Sequence, residues 1–435
     1  MTIEVTHNTN VVFIIKLHFL LTNNKQTFYN RDGDSMERQI MHIDVNNAFL
    51  SWSALDLLSK GETLDIRTIP AIIGGDETKR SGIVLAKSNL AKKFGIVTGE
   101  TIYQARKKCP SIKVFASNYK IYREYSNKLY NLLLEYTDKI ERYSVDECFL
   151  DMTGYLMNST LLDKAEEIKK RVNEELGFTV NIGVSTNKLL AKMASDFEKP
   201  NKIHTLYPNE IKQKMWNLPV GELFMLGRKT VPKLYNMNVK TIGDLAQTDL
   251  NRLVNIFGKH GKTMWEYANG IDLSEVIYKY EVPKSISNST TLAKDIQNID
   301  RLNEILLTLA EYVSYRLRKY NMLATVVNVG LRTNNFKDFS HQKKLDIATS
   351  NTRDIYSKAK ELLKEMYKGE AIRLVSLRVD NLCNKDECQL TLFDDKENKK
   401  QQELDKTLDK LKEKYGYTSI TRAGKLGIEK DVKLK

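Results

Sequence analysis

The first half of the chain alternates short apolar runs with amphipathic stretches of helical period. The apolar runs predict β-strands, and they cover residues 39–45, 140–152 and 178–184. The amphipathic stretches predict helices, and they cover residues 48–59, 119–136, 161–176 and 188–199. Shorter elements are predicted between them, with strands at 66–73 and 82–86 and helices at 88–94 and 101–108. This arrangement indicates an α+β fold.

The second half of the chain changes character twice. Residues 206–278 carry short helical patterns separated by turn residues, which predict a small helical domain. A stretch containing Pro283 then indicates a linker. Beyond it the pattern predicts the order strand, helix, strand, strand, helix, strand. The helices are expected at 299–320 and 351–367, and the later strands at 322–332, 339–347 and 371–380.

A charged segment near the C-terminus also shows helical spacing. Leu404, Leu408, Leu411 and Tyr415 recur three or four residues apart within it. This spacing places the four side chains on one side of a helix. We therefore expect an amphipathic helix over about 399–414 that packs against the rest of the protein.

The composition is that of a basic globular protein. Of the 435 residues, 41% are hydrophobic and 28% are charged, which is ordinary for a chain that buries cores. The formal net charge is +13 and the sequence pI is near 9.2. An excess of this kind indicates a polyanionic partner, nucleic acid first and an anionic membrane surface second. The cysteines form no disulfide framework, so reduced cytoplasmic thiols are expected at Cys109, Cys148, Cys383 and Cys388.

The N-terminal apolar run does not predict a membrane segment. Residues 11–21 are interrupted by Lys16 and His18, and the run is too short to span a bilayer. No basic region precedes the run, and no small-residue cleavage site clearly follows it, which argues against a signal peptide. A membrane-free protein is therefore expected.

Three carboxylates stand where strands are predicted to end. Asp146 and Glu147 interrupt the stretch 140–152, and Asp44 closes the strand 39–45. Adjacent side chains on a regular strand face opposite sides of the sheet, so Asp146 and Glu147 share a site only at a hairpin tip or bulge. Carboxylate oxygens are the ligands that Mg²⁺ prefers, and three such residues can hold two ions for phosphoryl transfer. A solvated turn that carries two acids is the alternative.

Three motifs in this sequence resemble those of the Y-family (translesion) DNA polymerases. Residues 42–49 and 144–147 are similar to the two metal-binding motifs of that family. Residues 181–192, running on to 199–201, are similar to a third family stretch. The motifs occur in the family's order and at its approximate spacing, and the resemblance covers about residues 36–420.

The resemblance implies a right-hand polymerase of the α+β class. Its expected parts are a palm (36–47 and 118–205), small fingers (48–117), a thumb with a helix–hairpin–helix (206–278), a linker (279–286) and a βαβββαβ-like little finger (287–385). Residues 386–435 are expected to hold a clamp-binding peptide and a helical tail. Family members usually begin close to the first metal strand. Residues 1–35 are thus expected to be a disordered, dispensable extension before Met36.

The resemblance also implies a two-ion active site. Asp44, Asp146 and Glu147 are expected to be catalytic and to bind two Mg²⁺ ions, for which Mn²⁺ can substitute, and the Val45 carbonyl is expected to be a further ligand. The nucleotide is expected to contact Asn46, Asn47, Ala48, Phe49, Asn89, Lys92 and Lys199.

Individual roles follow from the same resemblance. Backbone N–H groups of the turn 46–48 can bind phosphate oxygens, and Lys92 and Lys199 match positions that hold the triphosphate. Phe49 matches the steric gate that clashes with a ribose 2′-hydroxyl, although its position alone also fits a core residue. Lys192 shares a helix face with Lys199, which suits a phosphate-binding surface or a solvated face.

Two further segments indicate macromolecular contacts. Gly227, Arg228 and Lys229 precede a predicted helix and are expected to bind a DNA phosphate, with a plain structural turn as the alternative. Residues 389–393 resemble the peptide by which bacterial polymerases dock on the sliding clamp, and a last strand of the preceding module is the alternative. The clamp contacts expected there are Gln389, Leu390, Leu392 and Phe393.

Together these expectations describe a monomeric, cytoplasmic translesion DNA polymerase of low fidelity and low processivity. Its partners would be primer–template DNA, deoxynucleoside triphosphates and the sliding clamp. One alternative is a non-catalytic DNA- and clamp-binding protein that retains the fold. A diguanylate cyclase is another, because residues 74–78 fall one residue short of that signature, but the final aromatic residue is replaced by Thr78.

Overall fold

The computed structural model describes residues 28–29, 35–75, 82–279, 282–385, 396–416 and 419–420. The predicted clamp peptide and most of the N-terminal extension lie outside these residues, and so do Asp76, Glu77 and Thr78 of the cyclase-like turn. Within the extension, residues 28–29 pair with residues 35–36 as a short antiparallel ladder. The chain divides into two compact units, residues 1–280 and 281–435.

The first unit holds the predicted palm, fingers and thumb. Its described strands are β1 (Phe28–Tyr29), β2 (Ser35–Met36), β3 (Ile40–Val45), β4 (Ala71–Gly74), β5 (Val84–Lys87), β6 (Lys113–Ala116), β7 (Ile140–Arg142), β8 (Glu147–Asp151), β9 (Val180–Ser185) and β10 (Ile203–Thr205). Its described helices are α1 (Ala48–Ser59), α2 (Asn89–Lys93), α3 (Ile102–Lys108), α4 (Tyr119–Leu133), α5 (Leu161–Leu176), α6 (Lys188–Asp196), α7 (Ile211–Lys214), α8 (Val231–Asn236), α9 (Ile242–Gln247), α10 (Leu250–Phe257) and α11 (Lys259–Ala268).

A five-stranded sheet in the order β10, β9, β3, β8, β7 forms the centre of the predicted palm. The central strand β3 runs antiparallel to both β8 and β9, and all of its residues are buried. Because side chains alternate along a strand, Met41, Ile43 and Val45 face the main core. His42 and Asp44 therefore face the other side, where α6 lies against β3. This alternation places a polar row on the α6 side of the sheet.

The predicted fingers contain a small sheet in the order β5, β4, β6. The predicted strand 66–73 starts late, because residues Ile66–Thr68 form a 3₁₀ turn. The Asp65 side chain accepts a hydrogen bond from the Arg67 backbone N–H and caps this turn. Helix α2 begins where predicted, with Ser88 as its N-cap, and the Thr101 capping box starts α3.

The thumb differs from the prediction in one element. The first helix of the expected helix–hairpin–helix is only a 3₁₀ turn over Val220–Glu222, whereas the predicted helix from Val231 is present as α8. Pro232 in the first turn of α8 has no N–H to satisfy, which suits a helix start. Helices α10 and α11 are joined at Gly258, which adopts a positive φ.

The second unit is a four-stranded antiparallel sheet with helices packed against it. Its elements are β11 (Ser285–Ile296), α12 (Ile299–Lys319), β12 (Met322–Thr333), β13 (Asp338–Thr349), α13 (Thr352–Met366), β14 (Ile372–Asn384) and α14 (Lys396–Tyr415), with sheet order β11, β14, β12, β13. The topology over residues 282–385 is βαββαβ. The extra strand in the βαβββαβ-like expectation is therefore wrong, because β12 and β13 are long and pair directly as one hairpin.

The C-terminal helix α14 packs against the second unit through polar side chains. Asp405 is 2% exposed, whereas Leu404 and Tyr415 are 49% and 63% exposed. The expectation of a packed helix is confirmed, but contact through the spaced apolar residues is wrong at these two positions. Asp405 and Asp409 pair with Arg318 of α12 instead.

Two further predictions from the sequence concern the cysteines and membrane-spanning segments. Cys109 and Cys148 are free and buried. Cys383 is disulfide-bonded, so the expectation of a reduced thiol is wrong there, and Cys388 lies outside the described residues. Every helix within the described residues is too short or too polar to span a lipid bilayer.

Candidate active site

Two of the three predicted carboxylates face each other across neighbouring strands. Asp44, near the end of β3, is the direct cross-strand partner of Glu147, the first residue of β8. Asp146 immediately precedes β8, and its backbone carbonyl accepts a hydrogen bond from the Val45 N–H at 3.0 Å. Directly opposed residues of an antiparallel pair have Cβ atoms about 4.5–5.5 Å apart. The fold thus gathers these acids at one end of the palm sheet.

A tight turn between β7 and β8 aims Asp146. The backbone N–H groups of Tyr143 and Ser144 both donate to the Glu147 carbonyl, at 3.0 and 3.2 Å. The Ser144 hydroxyl donates to the Asp146 carboxylate at 2.6 Å. The stretch 140–152 is therefore two strands with a hairpin tip, which is the geometry that two adjacent carboxylates need to share a site.

Helix α6 and the segment that follows it bring two lysines onto these carboxylates. Lys192 lies on α6, whereas Lys199 comes after the last helical residue, Asp196, so the helix predicted over 188–199 ends three residues early. The Lys192 ammonium lies 2.9 Å from Glu147 Oε1 and 3.8 Å from Asp44 Oδ2. Lys199 contacts Asp44 and also lies 2.8 Å from Asp196 Oδ1. The Lys192 side chain is only 9% exposed, so the solvated-face alternative for this residue is wrong.

The charges of the site shift the affinities of these groups for protons. Burial raises the pKa of Asp44, and the ammonium groups of Lys199 and Lys192 offset this only in part. Burial acts in the same direction on Glu147, but the Lys192 ammonium, which donates a hydrogen bond to it, outweighs burial, and the pKa of Glu147 is lowered to about 2. Burial acts to lower the pKa of Lys192, yet the surrounding carboxylates raise it above its usual value. Glu147 and Lys192 are thus a charged pair at neutral pH.

His42 lies beneath Glu147, a role that the sequence reasoning missed. Its Nδ1 is 2.8 Å from the Ser195 hydroxyl, and its Nε2 is 3.7 Å from Glu147 Oε2, too long for a hydrogen bond. Burial lowers the pKa of His42, so the ring is neutral. Because the Ser195 hydroxyl donates to the Lys192 carbonyl, Nδ1 must carry the ring proton. The signal was available, since residues two apart on a strand share a face, as His42 and Asp44 do.

Gly183 allows α6 to approach the sheet. A Cβ at this position would lie 1.9 Å from the Ala191 carbonyl oxygen and 2.5 Å from the Ser195 nitrogen. Both contacts are with backbone that cannot move aside. A side-chain-free residue in β9 is therefore what lets Lys192 reach the carboxylates of β3 and β8.

The donor atoms of the site fit a divalent cation. Among the described residues, no three His, Cys, Asp or Glu side chains are arranged around a common metal position. Lysine ammonium groups lie against the Asp44 and Glu147 oxygens. A cation thus already bridges two carboxylates, and carboxylate oxygens are what Mg²⁺ prefers. The neutral His42 also leaves its Nε2 without a hydrogen-bond partner on the Glu147 side.

The turn after β3 differs in part from its predicted phosphate-binding role. The Asn46 backbone N–H donates to the Thr179 carbonyl at 2.9 Å, and its buried side chain bonds Asn181. Asn46 therefore links the end of β3 to β9, and its N–H is not available to a phosphate. Asn47 has a positive φ of 48° and is the N-cap of α1, whose first helical residue is Ala48. The first N–H groups of α1 have no intrahelical partner, so only this part of the turn can receive phosphate oxygens.

Phe49 is half-buried at the start of α1, against α4. Its ring stacks on Tyr122, with centroids 4.5 Å and planes 15° apart, and meets Tyr119 edge-on at 6.0 Å. The Tyr122 hydroxyl lies 3.0 Å from the Ser53 hydroxyl. Phe49 is thus packed partly against the core, while part of its ring stays accessible.

Asn89 and Lys92 lie one turn apart on the exposed side of α2 in the fingers. The Asn47 side chain donates to Asn89 at 3.3 Å, which links the fingers to the turn after β3. Burial, together with the positive charge of Lys92, lowers the pKa of Lys87. These two lysines are therefore neighbours on a positive surface of the fingers.

The predicted DNA contacts lie on the thumb rather than at the carboxylates. Gly227, Arg228 and Lys229 are exposed in the turn before α8. The Thr230 N–H donates to the Gly227 carbonyl at 2.9 Å and closes this turn. Two adjacent cations in an exposed turn are compatible with a backbone-phosphate contact.

Comparison with known proteins gives matches along most of the chain. Residues 43–196 match the impB/mucB/samB family, and residues 283–392 match the C-terminal domain of that family. Residues 223–272 match a family described as the DNA polymerase-iota thumb domain. These ranges correspond to the predicted palm with fingers, the second unit and the predicted thumb.

Full-length relatives show the family. DNA polymerase IV of Clostridium acetobutylicum is 50% identical over 388 residues, which cover 89% of this chain and 98% of that protein. The chain belongs to the DNA polymerase IV family. DNA polymerase IV of Acetivibrio thermocellus is 38% identical, with 89% of this chain and 97% of that protein covered. DNA polymerase IV 2 of Bacillus subtilis is 34% identical, with 90% and 95% covered.

A solved structure supports the fold of this DNA polymerase IV family member. A chimeric Y-family DNA polymerase matches with a TM-score of 0.70 at 23% identity, and the match covers 79% of this chain and 98% of that one. The expected α+β polymerase fold is therefore confirmed.

Proposed function

We propose that this chain is a DNA-directed DNA polymerase that performs template-directed translesion synthesis. It transfers a nucleotide from a deoxynucleoside triphosphate to a primer 3′-hydroxyl, with low fidelity and low processivity. The observation that carries this proposal is the opposition of Asp44 and Glu147 on β3 and β8, with Asp146 in the adjoining hairpin tip. Membership of the DNA polymerase IV family supports the same activity.

Two Mg²⁺ ions, or Mn²⁺ in their place, would be held by Asp44, Asp146, Glu147 and the Val45 carbonyl. When bound, such ions activate a hydroxyl nucleophile and neutralise charge on a leaving pyrophosphate. The chain itself supplies the carboxylate cluster, partly buried at the end of the sheet. Burial strengthens the interaction of these carboxylates with any cation that enters.

Positive side chains on both sides of the carboxylates suit a triphosphate. Lys199 is more exposed than Lys192, with 38% of its side chain accessible, so its ammonium can turn from Asp44 to a phosphate. Lys92 extends from the fingers and adds a second point charge. Phe49, fixed by its stack on Tyr122, would lie under the sugar and exclude a ribose 2′-hydroxyl.

The enzyme would also have macromolecular partners. Arg228 and Lys229, with the Gly227 backbone, would hold a phosphate of primer–template DNA. Residues 389–393, outside the described residues, would dock the enzyme on the bacterial sliding clamp. The enzyme would act as a monomer in the cytoplasm. No observation favours the alternative of a non-catalytic DNA- and clamp-binding protein.

Primer extension by the purified protein tests this function. Wild type, Asp146→Ala and Phe49→Ala are compared with Mg²⁺ and single nucleotides, beside Glu166→Ala, which removes an exposed acid on α5. We expect extension by wild type and Glu166→Ala, loss of extension with Asp146→Ala, and ribonucleotide incorporation with Phe49→Ala. A wild-type protein that binds primer–template but adds no nucleotide in Mg²⁺ or Mn²⁺ would support the binding-protein alternative.

A further inference from the structure

The Lys192 ammonium is enclosed by three carboxylates. It lies 2.9 Å from Glu147 Oε1, 3.4 Å from Asp196 Oδ2 and 3.8 Å from Asp44 Oδ2. Two of these acids are the opposed residues of β3 and β8, whose like charges repel each other in a partly buried site. A cation between them offsets this repulsion.

The lysine has little freedom to leave. Its side chain is 9% exposed, and the residues around it on α6, from Leu189 to Ser195, are all buried. The helix is also held against β9 at Gly183, where even a Cβ would collide with the backbone of α6. Lys192 is therefore a resident charge of the site, unlike the more exposed Lys199.

Asp196 gives both lysines a second acceptor. One of its oxygens is 3.4 Å from Lys192 and the other is 2.8 Å from Lys199. Its own side chain is 46% exposed and it lies outside the sheet that carries Asp44 and Glu147. When the oxygens of those two acids are taken by another cation, the lysines can keep an ion pair with Asp196.

We propose that Lys192 is a positioning residue that acts as a built-in counter-ion. It holds Asp44 and Glu147 in register before a divalent ion binds, and it yields to that ion by turning towards Asp196. Lys192 thus sets the concentration of divalent ion at which the site becomes occupied. This inference rests on the proposed function, because it takes Asp44 and Glu147 as ion ligands.

The first test measures Mn²⁺ binding to the full-length protein, without DNA or nucleotide, by electron paramagnetic resonance of the free ion. Lys192→Met keeps the length of the side chain but removes its charge. We expect it to bind Mn²⁺ roughly tenfold more tightly than wild type, since a competing cation is gone. In chelator its melting temperature should fall, and added Mn²⁺ should restore it.

Lys188→Met is the matched control. Lys188 lies one turn earlier on α6 and is likewise paired with a carboxylate, Glu141, at 2.7 Å, but it contacts neither Asp44 nor Glu147. Its removal should leave Mn²⁺ affinity at the wild-type value. Lys192→Arg should restore the wild-type affinity as well, because it returns a positive charge to the same place.

Asp196→Asn gives the opposite test. Without this third negative charge the lysines should hold the site acids more firmly, so Mn²⁺ should bind several-fold more weakly than to wild type. Unchanged or weaker Mn²⁺ binding by Lys192→Met, with wild type binding normally, would overturn this inference and leave the proposed polymerase function intact. Absence of Mn²⁺ binding by wild type would overturn the proposed ion site itself.

Discussion

Phe49 stacks on Tyr122 almost in parallel, with ring centroids 4.5 Å apart. The two residues belong to α1 and α4, so the position of the proposed sugar gate depends on packing between two helices. Tyr122 is itself buried and its hydroxyl lies beside Ser53. The gate is therefore held by a residue that need not touch the nucleotide.

Replacement of this support should weaken sugar selection. Tyr122→Leu removes the stack while leaving Phe49 in place, and we expect the preference for deoxynucleotides over ribonucleotides to fall by about two- to tenfold, the usual worth of an aromatic pair. Single-nucleotide extension kinetics measure the two specificity constants. Tyr125→Leu is the control, because Tyr125 stacks on Trp52 and not on Phe49. An unchanged preference in Tyr122→Leu, beside a lost preference in Phe49→Ala, would show that Phe49 needs no such support.

Gly183 should tolerate no side chain. Gly183→Ala places a Cβ within 1.9 Å of the Ala191 carbonyl oxygen, so α6 must move away from the sheet. We expect the free energy of unfolding to fall by about 3 kcal/mol. Urea denaturation followed by tryptophan fluorescence measures this change. Gly227→Ala is the control, since nothing lies within 4 Å of a Cβ there, and equal stability of the two variants would contradict the close approach of α6.

The polar attachment of α14 should depend on Asp405. This buried carboxylate accepts a hydrogen bond from the Thr352 N–H at 3.0 Å and lies 3.3 Å from Arg318. Asp405→Asn leaves the arginine with one carboxylate fewer, and we expect a loss of about 2 kcal/mol in the stability of the docked helix. Hydrogen exchange of α14 amides measures the loss. Lys410→Gln, an exposed change on the same helix, should have no effect. Equal protection in both variants would mean that other contacts hold α14.

Arg228 and Lys229 should contribute to DNA affinity without sequence preference. Arg228→Gln combined with Lys229→Gln removes two phosphate-binding charges, so the slope of log affinity against log salt should become shallower by about 1–2. Fluorescence anisotropy with two unrelated primer–templates measures the slope. The control is Lys169→Gln with Lys170→Gln, which makes the same charge change on α5 of the palm. A weaker affinity for only one of the two sequences would indicate base contact and contradict a phosphate role.

The sequence alone determined the order of the elements and the main chemistry. Hydrophobic periodicity depends on neighbouring residues, so the strands carrying Asp44 and Glu147, the hairpin tip at Asp146, and the helices of the fingers were predictable. The three motifs also indicated the family that full-length relatives then established.

Only the tertiary structure decided which distant groups meet. Lys192 and Glu147 are 45 residues apart, and no local period places an ammonium on a carboxylate across that separation. The contact of His42 with Glu147 and the hydrogen bond between Asn46 and Asn181 likewise join residues that are far apart in the sequence. On α14 the spacing of leucines predicted an apolar contact, yet the buried partner was Arg318, which drew Asp405 inward. The periodicity of the sequence determines which residues share one face of a helix or strand. Long-range packing and charge pairing decide which of those faces is buried.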